Sequence, residues 1–103
     1  MTNHLQRFSH FVSLGNSGSK EDVDKLMDTL FIKDDLATKK LVDYALSLVR
    51  TKKGIKRIRY YLFKGSPIQR NYAALYFRRN GNTNLLKRAL RKRLIDWDQG
   101  FAT

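Results

Sequence analysis

Fifteen lysines and arginines lie between Tyr44 and Ile95, a segment that contains no aspartate or glutamate. Positive side chains at this density repel one another unless water dilutes them or an anionic partner matches them. Their ammonium and guanidinium groups bind phosphate oxygens, and the planar guanidinium can hold two such oxygens at once. These residues therefore favour ionic binding of a polyanion. They are Arg50, Lys52, Lys53, Lys56, Arg57, Arg59, Lys64, Arg70, Arg78, Arg79, Lys87, Arg88, Arg91, Lys92 and Arg93.

Most of these cations, together with one tyrosine, form the candidate nucleic-acid-binding set. Tyr60 belongs to it because its ring lies among lysines, where it can stack on a base or a sugar. Packing of the same ring against lysine stems is an equal alternative. The full set is Lys52, Lys53, Lys56, Arg57, Tyr60, Lys64, Arg70, Arg78, Arg79, Lys87, Arg88, Arg91 and Lys92.

Two binding geometries are compatible with this set. In the first, helix ends and turns line a shallow track for phosphates, with contacts from Lys52, Lys53, Lys64, Arg78 and Arg79. In the second, the helices on either side of residues 64–66 form a helix-turn-helix that reads base edges with Gln69, Arg70 and Asn71. We favour the track, because the helix at 66–80 is apolar on two sides and has little free surface.

Residues suited to catalysis or metal binding are sparse. His4 and His10 are six positions apart and do not share a helical face. The sequence contains neither a nucleophile-elbow serine nor a phosphate-binding glycine loop. Asp96 and Asp98 flank Trp97, the one place for a catalytic carboxylate beside an aromatic, but Trp97 is expected to pack on the core. We expect no enzyme activity, no metal, no cofactor and no small-molecule substrate.

Composition predicts one all-α domain over residues 1–103. Residues 1–49 are near neutral, with six basic and seven acidic side chains, whereas residues 50–95 are strongly basic. The chain has no cysteine, which excludes disulfides, zinc-thiolate sites and a thiol nucleophile. No apolar run reaches the ~18 residues of a membrane span, and the first residues do not resemble a signal peptide. These features predict a soluble cytoplasmic protein.

Apolar periodicity predicts about six helices and no strand. The first helix is expected to end at a loop over 15–19, the second to begin at Ser19, and the third to span about 35–50 with Asp34 or Asp35 as N-cap. The fourth covers about 53–64, and Gly65 after it is expected to adopt the left-handed conformation. A capping box at 66–69 starts the fifth, which ends at Gly81, and the last covers about 83–98.

Part of this pattern resembles a HEAT-type repeat. The resemblance covers residues 66–92 well and 34–62 poorly, and rests on Pro67, Arg70, Ala73, Ala74, Gly81, Leu86 and Leu90. It implies antiparallel helical hairpins stacked as a short right-handed α-solenoid, which binds macromolecules along one face. HEAT-like folds include DNA-binding glycosylases and many protein scaffolds, so the resemblance alone does not choose a function.

The sequence as a whole predicts a non-enzymatic nucleic-acid-binding domain that contacts the phosphate backbone. Double-stranded DNA is favoured over RNA, because no aromatic-bearing sheet of the RNA-reading kind is expected. The alternative is a HEAT-like protein–protein interaction module whose basic face binds an acidic partner. Association with a membrane surface is disfavoured, because the apolar stripes are needed for the core.

Overall fold

A computed structural model describes residues 4–33 and 35–96, and within these ranges the chain is helical and contains no strand. The prediction of an all-α chain with about six helices is confirmed. Stacking as a right-handed solenoid stays a prediction. The helices are α1 (His4–Ser17), α2 (Lys20–Ile32), α3 (Leu36–Ser47), α4 (Lys52–Lys64), α5 (Pro67–Arg79) and α6 (Thr83–Arg91).

The chain divides into two units, Met1–Arg57 and Ile58–Thr103, and the boundary falls inside α4. The prediction of a single domain stays a prediction. The fully buried apolar side chains of the first unit include Val23, Leu26, Met27, Val42, Ala45 and Val49. Those of the second include Ile58, Leu62, Ala73, Ala74 and Ala89.

In the first unit, α1, α2 and α3 pack against one another. A guanidinium nitrogen of Arg7 donates to the hydroxyl of Thr38, and further along both helices the backbone at Gly15 meets Ala45. The order of these contacts shows that α1 and α3 run in the same direction. The short connections before and after α2 each reverse the direction of the chain, and two reversals leave α1 and α3 parallel.

The helix starts of the first unit agree with the sequence. The Ser19 hydroxyl accepts a hydrogen bond from the backbone N–H of Asp22 at 3.1 Å. The Asp35 carboxylate accepts one from the N–H of Thr38 at 2.9 Å. Both bonds satisfy backbone donors that a first helical turn leaves unpaired. The alternative cap, Asp34, lies outside the described residues.

The predicted loop over 15–19 is wrong in its first part, because α1 continues to Ser17. A Cβ atom on Gly15 would lie 2.9 Å from the carbonyl carbon of Ala45, so the glycine permits close contact of α1 with α3. Packing here overrides the poor helix propensity of glycine. The residue that ends the helix is Gly18, whose φ is +59°.

The start of α4 is fixed by a threonine that the sequence did not single out. The Thr51 hydroxyl accepts from the N–H of Gly54 at 2.9 Å and donates to the carbonyl oxygen of Gly18 at 2.6 Å. A Cβ on Gly54 would come within 2.5 Å of that same carbonyl oxygen. The N-terminal turn of α4 is therefore held against the connection between α1 and α2.

In the second unit, the capping box is confirmed. The Ser66 hydroxyl accepts from Gln69 N–H at 3.4 Å, and the Gln69 side-chain oxygen accepts from Ser66 N–H at 2.9 Å. The left-handed conformation expected at Gly65 is wrong, because the described glycines with positive φ are Gly18 and Gly81. Gly65 is needed for space: an added Cβ would lie 2.8 Å from the carbonyl oxygen of Tyr61.

The helices α5 and α6 form an antiparallel hairpin. Gly81, with φ of +71°, ends α5 as predicted, and the N–H of Asn82 donates to the carbonyl oxygen of Phe77 at 2.9 Å. The same 6→1 bond ends α6, where the N–H of Leu94 donates to the carbonyl oxygen of Ala89 at 3.0 Å. This is the Schellman pattern, which requires a left-handed residue between helix and bond donor.

The predicted end of the last helix near residue 98 is therefore wrong, since α6 ends at Arg91. Arg93 is the left-handed residue, with φ of +58°. A conformation this uncommon for a non-glycine residue leaves no signal in the sequence. Two residues of the sequence analysis lie outside the described residues: Trp97, which we expect to pack on the core, and Asp98, a candidate catalytic carboxylate.

Burial of α5 is more one-sided than its sequence indicated. Ala73, Ala74 and Phe77 are fully buried, as is Tyr76 next to them. The sequence predicted one apolar stripe of Ile68, Tyr72, Leu75 and Tyr76 and a second of Ala73, Ala74 and Phe77. In the first stripe only Tyr76 is buried, and the other three side chains are half-buried.

Candidate nucleic-acid interface

One face of α4 is basic along its whole length. At 100° per residue, positions 52, 53, 56, 59, 60 and 64 project from the same side of the helix, and all six are exposed. The opposite side carries Ile58, Tyr61 and Leu62, which are buried. Burial of this apolar stripe fixes the rotation of the helix and presents the cations to solvent. They are Lys52, Lys53, Lys56, Arg59 and Lys64, with Tyr60 among them.

The helix α6 has a comparable division. Leu86 and Ala89 are buried, whereas Lys87, Arg88 and Arg91 are exposed. Arg91 lies four residues after Lys87 and three after Arg88, so it neighbours both on the helix surface. Lys92 follows directly and is also exposed.

A cation–π contact joins the basic faces of α4 and α6 within the second unit. The guanidinium carbon of Arg88 lies 5.5 Å from the ring centroid of Phe63, within the range of an attractive interaction. Phe63 is half-buried and lies four residues after Arg59 and directly before Lys64 on α4. This contact brings two rows of cations together. We call them the α4–α6 basic surface, defined as Arg59, Tyr60, Lys64, Lys87, Arg88, Arg91 and Lys92.

Arg59 is a member that the candidate set omitted. It is exposed and lies one turn before Phe63 on the same face. The i,i+4 spacing of Arg59 and Phe63 is visible in the sequence. What the sequence did not show is that Arg88 of α6 lies over Phe63.

Arg57 is neutralised by an acid from outside the acid-free segment. Its Nε donates to Oδ1 of Asp24 at 2.6 Å, and its second nitrogen lies 3.3 Å from Oδ2. Charge-assisted bonds of this two-point kind are among the stronger polar contacts in proteins. Arg57 therefore has a structural role, and we leave it out of the α4–α6 basic surface.

Arg70 also has a structural role. Its Nε donates to the carbonyl oxygen of Leu94 and one terminal nitrogen donates to that of Gly65, both at 2.8 Å. The guanidinium thus links the turn before α5 to the segment after α6. These two bonds satisfy backbone carbonyl groups that lie outside the helices. The first turn of α5 holds Arg70 in place to make them.

The helix-turn-helix geometry needed Gln69 and Arg70 to face base edges. The structure places Gln69 in the interior, where its side chain completes the capping box, and engages Arg70 with two backbone carbonyls. Neither side chain projects as that geometry requires. In the track geometry, Lys64 lies just before α5, and Arg78 and Arg79 lie at its end, about 18 Å away at 1.5 Å per residue. This geometry stays a prediction.

Arg78 is half-buried and Arg79 is exposed at the end of α5. Lys52, Lys53 and Lys56 lie on the first part of α4, in the first unit. The contact of Arg88 with Phe63 links α6 to α4 at one point, and the α4–α6 basic surface includes six of the fifteen segment cations from these two helices and the residue after α6. The other candidate residues lie elsewhere on the chain.

No arrangement for metal binding or membrane crossing is present in the described residues. They contain no cluster of three or more histidine, cysteine, aspartate or glutamate side chains able to hold a metal ion. His10 and Asp96 are exposed. Among the helices in the described ranges, none is long and apolar enough to cross a bilayer.

Comparison with protein-family models, curated proteins and solved structures found no match for this chain. The HEAT resemblance therefore stays a prediction. Function has to be inferred from the chain's own residues and from the contact that gathers them.

Proposed function

We propose that this protein binds nucleic acid, without catalysis, through ionic contacts of the α4–α6 basic surface with the phosphate backbone. The observation that carries the proposal is the contact of Arg88 with Phe63, which joins the cations of two helices into one surface. No aspartate or glutamate lies in the sequence from Tyr44 to Ile95, so neither helix carries an acid that could compensate them.

The surface is held before any ligand arrives, which supports the proposal. Its side chains project from helices whose opposite faces are buried, so binding orders no backbone there and the entropy cost of association is reduced. Bringing six cations together costs electrostatic free energy that a polyanion recovers. About five phosphate contacts would release counterions to give a slope of log affinity against log salt of roughly −4 to −5.

The stacking of the helices and the type of nucleic acid bound are part of the same proposal. The α5–α6 hairpin has the proline start, buried alanines and glycine turn of the HEAT resemblance. We propose that hairpins of this kind stack as a short right-handed solenoid, and that DNA is bound in preference to RNA.

The test is a salt titration of binding to labelled duplex DNA of mixed sequence, measured by fluorescence anisotropy between 50 and 200 mM salt. One variant removes three surface cations: Lys87→Gln, Arg88→Gln and Arg91→Gln. Its matched control removes three exposed lysines of the first unit: Lys20→Gln, Lys33→Gln and Lys40→Gln. Both variants lose the same net charge.

The wild-type protein is expected to bind with a slope near −4 to −5, and the surface variant with a slope smaller by about 2.7, which is three lost phosphate contacts. The control is expected to keep most of the affinity. Absence of wild-type binding at 50 mM salt overturns the proposal. Equal losses in both variants overturn the assigned surface, and equal competition by polyglutamate, charge for charge, indicates an acidic protein partner instead.

A further inference from the structure

Tyr60 is an aromatic side chain placed in the centre of a cationic helix face. It is 46% exposed, and Lys56 and Lys64 lie one turn before and one turn after it. Its ring meets the buried Tyr61 ring at 86°, with centroids 5.4 Å apart. This edge-to-face contact is a favoured aromatic geometry and restricts the orientation of the exposed ring.

A second planar group lies next to this ring. Phe63 follows Tyr60 by three residues, so their Cβ atoms are about 5–6 Å apart on the helix surface. The guanidinium of Arg88 lies over the Phe63 ring, and Arg88 is itself exposed. Tyr60 and Arg88 are thus two flat groups that both lie next to Phe63, and each has exposed cationic side chains near it on its own helix.

We infer that Tyr60 and the Arg88 guanidinium form a stacking site for unpaired bases, so that the ligand bound most tightly by this surface is single-stranded nucleic acid. The inference rests on the proposed function and deepens it. Tyrosine rings and arginine planes are the groups on which exposed bases stack in single-strand-binding proteins. In a duplex each base face is covered by its neighbours, so a duplex can use only the cations.

The arrangement also predicts how the ligand lies. With bases on Tyr60 and Arg88, the phosphates on either side come within reach of Arg59 and Lys64, which lie on either side of the ring along α4. Every base offers a π face, so the site is expected to tolerate any sequence. Sequence preference is expected to be weak, and the preference for unpaired over paired bases strong.

The experiment compares three ligands of matched charge by anisotropy at one salt concentration: oligothymidylate of about 12 nucleotides, an abasic oligonucleotide of the same length, and a duplex. The variants are Tyr60→Ala, Tyr60→Phe and Arg88→Lys, which keeps the charge but lacks the plane. The matched control is Tyr44→Ala, because Tyr44 is 48% exposed on α3. Circular dichroism confirms that each variant is folded.

The wild-type protein is expected to bind oligothymidylate at least about fivefold more tightly than the abasic strand. Tyr60→Ala removes this advantage and leaves abasic and duplex binding unchanged. Tyr60→Phe retains the advantage, Arg88→Lys reduces it, and Tyr44→Ala has no effect. If Tyr60→Ala does not fold, Arg88→Lys and Tyr60→Phe carry the test.

The inference is overturned if the wild-type protein binds the abasic strand as tightly as oligothymidylate while duplex binding persists. It is likewise overturned if Tyr60→Ala weakens all three ligands equally. Failure of the wild-type protein to bind any of the three is a different result, because it removes the proposed function itself.

Discussion

Arg57 donates from Nε to Oδ1 of Asp24 at a distance of 2.6 Å, across 33 positions of sequence. The two side chains are 24% and 29% exposed. This pair connects the acid-free basic segment to the acidic α2 helix within the first unit. One of the fifteen cations is therefore matched by a carboxylate that lies far away in the sequence.

The ion pair predicts that neighbouring cations on α4 behave differently. Arg57→Gln is expected to lower the free energy of unfolding by about 1 kcal/mol, because it leaves the Asp24 carboxylate without its two-point partner. It is expected to leave affinity for DNA nearly unchanged. Arg59→Gln, two positions later and exposed on the α4–α6 basic surface, is the matched control. It is expected to leave stability nearly unchanged and to weaken DNA binding. Urea unfolding and DNA titration measure the two quantities.

A double-mutant cycle with Asp24→Asn isolates the pair itself. The coupling free energy between Asp24 and Arg57 is expected to be about 0.5–1 kcal/mol, the value typical of partly exposed ion pairs. A coupling of zero would show that the contact contributes nothing. A loss of DNA affinity in Arg57→Gln equal to that in Arg59→Gln would return Arg57 to the binding surface.

The contact of α1 with α3 predicts that a glycine-to-alanine substitution in α1 lowers stability, which is the opposite of its usual effect inside a helix. Gly→Ala inside a helix ordinarily stabilises by about 0.5–1 kcal/mol. Gly15→Ala is expected to destabilise by about 2 kcal/mol or more, because the new methyl group would meet the Ala45 backbone, which cannot rotate away. Asn16→Ala, at an exposed neighbouring position of α1, is expected to change stability by less than about 0.5 kcal/mol. Urea unfolding monitored by circular dichroism at 222 nm compares the two; a Gly15→Ala variant as stable as the wild type contradicts the packing described for α1.

Local signals in the sequence were sufficient for the parts of the fold that depend on local chemistry. The caps at Ser19, Asp35 and Ser66 each involve a side chain and a backbone N–H three residues away, so the sequence contains the whole interaction. The end of α1 depends on the distant Ala45, and the end of α6 on a left-handed arginine. Neither has a local signature, and both were mispredicted.

The same distinction applies to the candidate site. The cationic segment and the position of Tyr60 within it could be predicted from the sequence. Charge follows from composition, and the helix face on which a residue lies follows from residue spacing. It could not show which cations are neighbours, since that depends on contacts between helices. The pairing of Arg57 with Asp24 and the bonds from Arg70 to two carbonyls are long-range contacts, and they remove two arginines from the predicted set.

The cap of α3 predicts a pH-dependent contribution to stability. The Thr38 hydroxyl donates to the Asp35 carboxylate at 2.7 Å, and this bond, followed by that from the Thr38 N–H, holds the pKa of Asp35 below its ordinary value of 3.8. A carboxyl group whose pKa is lower in the folded than in the unfolded state stabilises the fold above its unfolded pKa. That stabilisation is lost as the pH falls through the folded pKa.

Replacing Asp35 with asparagine keeps a capping acceptor but removes the titrating group. The urea midpoint of the wild type is therefore expected to fall relative to that of Asp35→Asn as the pH is lowered from about 5 towards 2. Thr38→Val removes the hydroxyl donor and is expected to make the acid-side slope shallower, whereas Thr38→Ser retains the donor and the slope. If the midpoints of the wild type and Asp35→Asn differ by a constant amount over this range, neither bond from Thr38 stabilises the ionised carboxylate, and the described cap does not contribute to the acid-side loss of stability.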